Sequence, residues 1–222
     1  MRSIKITFVT LVAVFALGAV TASSAFASPE WYVKKGGTYS KVKEAVKVKV
    51  NWGLEEIVTP EGGPPYNEKF GIKCKAVGTG EIKPGGISDI TGIEAPACEK
   101  VDGCTRLVGG VIPSALPWQL ELYKEGTEIR SKFVKGPNGM AGFTFTCETN
   151  FIGKAECETS LNTSTHMTNL VSGFVEAAFD AKSAKSSCSI HPSGRVGEVE
   201  FKGPLVTVEP VEKSGVEAIK VE

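Results

Sequence analysis

Histidine is scarce in this chain, with two in 222 residues, and aromatic side chains make up only 8%. The two, His166 and His191, both lie in polar, turn-like surroundings. No Gly-x-Ser-x-Gly elbow accompanies them, so Ser186, Ser187, Ser189 and Ser193 read as ordinary loop serines beside a solvated His191. Also missing are a glycine-rich phosphate loop, a His-Glu-x-x-His helix and an aspartate-rich calcium loop, which leaves metal and nucleotide cofactors without support. Net charge is absent too: 25 basic side chains balance 25 acidic ones, so nothing attracts nucleic acid or an anionic membrane. No stretch keeps helical periodicity over three turns. Past residue 27, no apolar run is long enough to span a bilayer.

What is present begins with a leader. Arg2 and Lys5 precede an apolar run of about 15 residues from Ile6 to Val20, and Ala25-Phe26-Ala27 offers small residues before a cut at Ser28. The run falls short of the ~20 residues a membrane helix needs. Residues 1–27 therefore read as a cleaved secretory signal, and residues 28–222 as one exported domain. Loss of Arg2 and Lys5 leaves that domain slightly acidic.

Export decides how to read the six cysteines, Cys74, Cys98, Cys104, Cys147, Cys157 and Cys188. An oxidising compartment favours disulfides. Zinc is the competing chemistry, but no two of these cysteines form the close clip of a structural zinc site. Six cysteines allow fifteen complete pairings. Proximity along the chain favours Cys98–Cys104 and Cys147–Cys157, which leaves Cys74–Cys188 as a long-range link.

Apolar alternation recurs between glycine and proline turns. Val46 to Trp52 places valines and tryptophan on one face and lysines on the other, the period of two of a half-buried strand. Gly53 reads as its end, with 54–58 pairing back and 59–66 as a loop. Similar runs occupy 70–76, 87–93, 129–134, 142–147, 155–159, 171–179, 187–190, 197–201 and 205–208. Residues 98–104 read as a polar loop closed on itself. Near the middle, Trp118, Leu120 and Leu122 share one face of a strand entered through Pro117. Residues 28–43 read as an edge strand or a loose arm, and 211–222 as a loose, charged end. The set implies an all-β fold, an antiparallel β-sandwich or barrel held by disulfide staples.

Few side chains suggest a site. Glu55, Glu56 and Glu121 are the carboxylates available for acid–base work on a sugar, and Glu121 lies on the polar face of its strand. Trp52 and Trp118 read as core. Trp31, Tyr32, Tyr39, Tyr66 and Tyr123 read as exposed aromatics suited to stacking on a glycan or anchoring an envelope protein.

The leader, the early Trp31, the run Leu116-Pro117-Trp118 with Glu121-Leu122 and the scattered cysteines together resemble a loose group of small secreted proteins from soil-type actinobacteria. That group has no assigned activity. The resemblance implies export and a bacterial source, and it carries no functional residue. Two readings follow from the whole sequence. One is an exported non-enzymatic β-domain, structural or adhesive, at or outside the cell envelope. The other is a small-ligand-binding or glycoside-acting protein with a site inside the β-domain.

Overall fold

The computed structural model describes residues 28–60, 68–94, 97–150, 153–179, 185–191, 195–202 and 205–222. The leader, Tyr66 and most of the 59–66 loop lie outside these. In chain order the strands are β1 (Trp31–Lys35), β2 (Thr38–Lys41), β3 (Val46–Pro60), β4 (Phe70–Lys83), β5 (Ile87–Ile93) and β6 (Ala97–Asp102). Then come β7 (Cys104–Ser114), β8 (Trp118–Glu125), β9 (Glu128–Val134), β10 (Gly142–Thr149), β11 (Gly153–Ser160) and β12 (Ser164–Asn169). The last are β13 (Val175–Phe179), β14 (Lys185–His191), β15 (Arg195–Lys202), β16 (Leu205–Pro210) and β17 (Ala218–Val221). The helix among the described residues is two single 3₁₀ turns, Pro84–Gly86 and Glu212–Ser214.

A long hairpin organises them. Strands β3 and β4 run 15 and 14 residues, about 50 Å at the usual rise, and pair from Val46↔Ile82 to Val58↔Phe70. One half of this hairpin closes an eight-stranded antiparallel barrel in the order β4-β5-β8-β9-β12-β13-β16-β3. The other half continues into a second antiparallel sheet, with β6 on β4 and the series β15-β14-β11-β10-β7 on β3.

Gly53 does not end β3, contrary to the expectation from sequence. It lies where β3 exchanges one neighbour for another, pairing with β16 up to Trp52 and with β15 from Glu55. Glycine costs entropy in a strand but does not break one whose hydrogen bonds are met on a partner. Residues 98–104 are likewise not a closed loop: β6 and β7 turn tightly at Gly103, whose N–H donates to the Lys69 carbonyl.

Each half has its own core. Val48, Val50, Ile82, Met167, Val175, Ala177, Val206 and Val208 fill the barrel, while Leu54, Val58, Phe70, Ile72, Phe143, Phe145 and Ile190 fill the second half. Trp52 and Ile90 touch both.

The disulfides all belong to the second half, and their pairing differs from the one proximity favours. Cys74 joins Cys98, Cys104 joins Cys147 and Cys157 joins Cys188. Strand register explains the change. Cys74 lies directly opposite Cys98 across β4–β6, and Cys157 opposite Cys188 across β11–β14. In the β10–β11 hairpin Cys147 faces Ala155 and Cys157 faces Phe145, so each cysteine bonds outward to the next strand.

The chain ends are also ordered. Strands β17, β1 and β2 form a small sheet, with Trp31 opposite Val221. Glu30 and Glu222 exchange backbone hydrogen bonds of 2.7 and 3.1 Å. This sheet lies over the barrel end that carries the β4–β5 and β12–β13 turns. Ile219 N–H donates to the Gly173 carbonyl, and the Asn169 side chain makes two 2.8 Å bonds to the Val221 backbone. Trp31, Val33, Val42, Val216, Ile219 and Val221 pack into the barrel core. Residues 28–43, read from sequence as an edge strand or a loose arm, are strands β1 and β2, and residues 211–222, read as loose, supply β17; together they close the barrel because their apolar faces meet each other.

Candidate functional site

The chain has three tryptophans, and all three line one cavity inside the barrel. Trp31 reaches it from the terminal sheet. Trp52 and Trp118 meet edge-to-face at 6.5 Å, and Trp118 meets Phe133 at 6.1 Å, building an aromatic layer between the barrel and the second core. Valines 48, 50, 206 and 208, with Ile82 and Met167, complete the walls. The cavity volume is about 60 Å³.

Ser88, Asp89, Ser131 and Thr165 are the polar residues other than tryptophan among its lining. Ser131 and Thr165 bond each other at 2.6 Å across β9 and β12 and so satisfy one another. Asp89 on β5 is only 7% exposed. One of its oxygens, Oδ2, pairs with the Lys83 ammonium, and the other, Oδ1, has no hydrogen-bond partner. That hydrogen bond to Asp89 is the main cause holding the Lys83 ammonium above the ordinary lysine range. Trp31 is 2% exposed, and its indole Nε1–H has no partner either. Trp118, by contrast, donates its indole N–H to the Ser114 carbonyl at 2.5 Å. A buried polar atom left unpaired costs about 1–3 kcal/mol, so these two atoms are a local cost of closing the barrel around a cavity whose lining is almost wholly apolar.

Local sequence brings Trp31 and Asp89 to the same barrel end. A Cβ on Gly86 would lie 2.5 Å from the Pro29 carbonyl oxygen, so glycine there lets the first strand press on the β4–β5 turn. Glu30 accepts from Gly85 N–H at 3.2 Å and fixes that contact. Asp89 follows three residues after this turn. Beside it, Thr91 is extra in the register between Thr79↔Gly92 and Gly80↔Ile90, and Ser88, Asp89 and Ile90 all reach the cavity.

The carboxylates singled out from sequence are dispersed. Glu121 is exposed and pairs with Lys132 at 3.6 Å. Glu55 pairs with Lys73 at 3.8 Å. Glu56 is fully buried in the second core, where Thr159 donates to its carboxylate at 2.8 Å. Asp89, which sequence reasoning passed over, is in the other core. Of these four, Asp89 lines the barrel cavity.

The histidines are exposed on outer faces, His166 at 3.3 Å from Glu128 and His191 at 3.9 Å from Glu156. Ser187, Ser189 and His191 line an open groove with Glu156, whose carboxyl is held below its ordinary range chiefly by the Lys154 hydrogen bond. These are neighbours on the outside of a sheet, with Glu156 committed to Lys154 at 2.6 Å. Among the described residues no three His, Cys, Asp or Glu side chains come together as a metal site would require.

Of the aromatics expected to be exposed, Tyr39 is, Tyr32 is half-buried, and Trp31 is a correction: it is core. Lys220 lies over the Tyr39 ring at 4.4 Å and the Tyr32 ring at 5.4 Å. No helix among the described residues is long and apolar enough to cross a membrane. No protein-family model, curated protein or solved structure matches this chain. The fold and the cavity define it as a disulfide-braced all-β domain built around a closed barrel.

Proposed function

We propose that this chain is an exported, non-enzymatic binding domain whose ligand site is the barrel interior. The observation that carries it is the cavity inside the barrel, lined by all three tryptophans. Ligand sites of this kind are concave and apolar with a few placed polar groups. Wide separation of the buried carboxylates speaks against a paired acid–base site for glycosides. The three disulfides suit an oxidising compartment, and the leader directs the chain there.

Thermal-shift screening of the purified protein against small organic compounds tests this reading. Hits should raise the midpoint saturably, and Ala177→Leu, which fills the cavity from β13, should abolish the shift. Shifts that persist in Ala177→Leu, or turnover of an ester or glycoside by the wild-type protein, would overturn it.

A surface role has one observation of its own. Tyr32, Lys220 and Tyr39 form an aromatic–cationic cluster on the terminal sheet, and Tyr39 belongs to β2, whose four residues are all exposed. Such a cluster suits an envelope glycan or protein. Binding of the domain to envelope fractions should then fall on Tyr39→Ala and be indifferent to Ala177→Leu.

A further inference from the structure

The barrel cavity is bounded by large apolar side chains, Trp31, Trp52, Trp118, Phe133, Phe143 and Met167 among them, yet they leave about 60 Å³ between them. Native interiors pack as densely as organic crystals, with few voids larger than a water molecule. Walls that face a void lose the dispersion contacts a neighbour would supply. A guest that restores those contacts is therefore favoured, and the chemistry of the walls selects which guest.

The lining is almost wholly apolar. Ser131 and Thr165 use their hydroxyls on each other at 2.6 Å, and the two residues are 2% and 0% exposed. Asp89 is held by the Lys83 ammonium. Buried water rests on two to four polar partners, whereas an apolar cavity stays dry and takes an apolar guest. A hydroxyl brought into such a space gives up its hydrogen bonds to water, a cost that carbon does not carry.

Volume sets the size of the guest. A cavity of about 150 Å³ takes a benzene ring, so one of about 60 Å³ excludes benzene and takes roughly two or three heavy atoms. The edge-to-face stack of Trp52, Trp118 and Phe133 holds one wall in place. We infer that the barrel interior is a site for a small unsubstituted hydrocarbon of up to about three carbons, held by shape and apolar contact without a hydrogen bond. This inference rests on the barrel-interior reading above. A guest of about three heavy atoms binds no more tightly than roughly millimolar, even at the best efficiency per atom.

Met167 provides a local readout, because it lines the cavity and is one of three methionines in the chain. Its methyl signal in a ¹H–¹³C spectrum is assigned by Met167→Leu. The probes are propane under raised gas pressure, ethanol, which matches propane in heavy atoms but carries a hydroxyl, and benzene. Propane should shift the Met167 methyl saturably and bind at least about tenfold more tightly than ethanol, whose hydroxyl is buried unpaired. Benzene should leave the signal unmoved. Ala177→Leu, which fills the cavity from β13, should abolish the propane shift.

Several outcomes overturn the inference. If ethanol binds as tightly as propane, the barrel is a ligand site and the hydrocarbon assignment fails. Saturable binding of benzene defeats the size limit, and the inference with it. A propane shift that persists in folded Ala177→Leu places the guest elsewhere. If no probe moves the Met167 signal, the cavity is a packing void, and both the inference and the barrel-interior reading fall. Should Ala177→Leu fail to fold, the wild-type ranking of the three probes still decides.

Discussion

At the scale of single residues, Lys83 and Asp89 control the polar end of the barrel. Removing the ammonium by Lys83→Met leaves a carboxylate that is 7% exposed without its cation. Because the Lys83 side chain is itself 34% exposed, solvent screens the pair, and the expected loss is about 1–2 kcal/mol at neutral pH. The Lys83 pKa is raised by folding, so its contribution is fully present from neutral pH up to the ordinary lysine value. It disappears as pH rises through the higher folded value. Denaturant unfolding of wild type and Lys83→Met should therefore show a gap at pH 7 that closes in strongly alkaline buffer; a constant gap would contradict this. Gly71 makes a second test. A Cβ there would lie 2.1 Å from the Glu56 carbonyl oxygen, so Gly71→Ala must push β4 off β3 and should cost at least about 1–3 kcal/mol in the same assay. Alternation through Leu54, Glu56 and Val58 already places Glu56 inward in the sequence. The Asp89 position is not legible, since the extra residue Thr91 in β5 disturbs the period of two that would assign its face.

Among the elements, the terminal sheet shows what local reading misses. Strand β1 alternates Trp31 and Val33 inward with Tyr32 and Lys34 half-buried, but its five residues cannot show what covers them. Their partner is β17, nearly the whole chain away, and only that pairing turns a lysine-rich arm into a barrel lid. Ile219 is 1% exposed in this seam, and Ile219→Ala should destabilise the protein by about 2–4 kcal/mol. Removal of residues 218–222 should go further and expose Trp31, seen as a red shift in tryptophan fluorescence that is absent in Trp31→Phe. An unchanged spectrum would show that the lid stays closed without β17. The β3–β4 hairpin is the opposite case. Its alternation is plain in the sequence, whereas its length is hidden by Gly53, which reads locally as a stop.

For the whole molecule, the two halves are stabilised by different means. The barrel closes through strand pairing and its apolar core without a disulfide, while the second half carries all three disulfides across neighbouring strands. Their sequence separations of 24, 43 and 31 residues correspond to roughly 3–4 kcal/mol each in the chain-entropy model. Reduction should thus raise amide hydrogen exchange first in β6, β7, β10, β11 and β14, with β8, β9, β12 and β13 protected longer. Uniform loss of protection would mean that the halves unfold as one unit. Peptide mapping without reduction should recover Cys74–Cys98, Cys104–Cys147 and Cys157–Cys188, and any Cys74–Cys188 peptide would contradict the strand order.

The all-β class, the positions of most strands and the core role of Trp118 were determined by the sequence itself, because alternation and turn residues act over a few neighbouring positions. Which strands pair, which cysteines meet and which polar atoms lose their water were decided by tertiary structure. Cys98 and Cys104 are close in sequence, yet adjacent strands hold each against a more distant cysteine. Trp31 and Asp89 are ordinary residues in their own segments. They lose their polar partners only when the barrel closes around them and removes the solvent that would otherwise satisfy both.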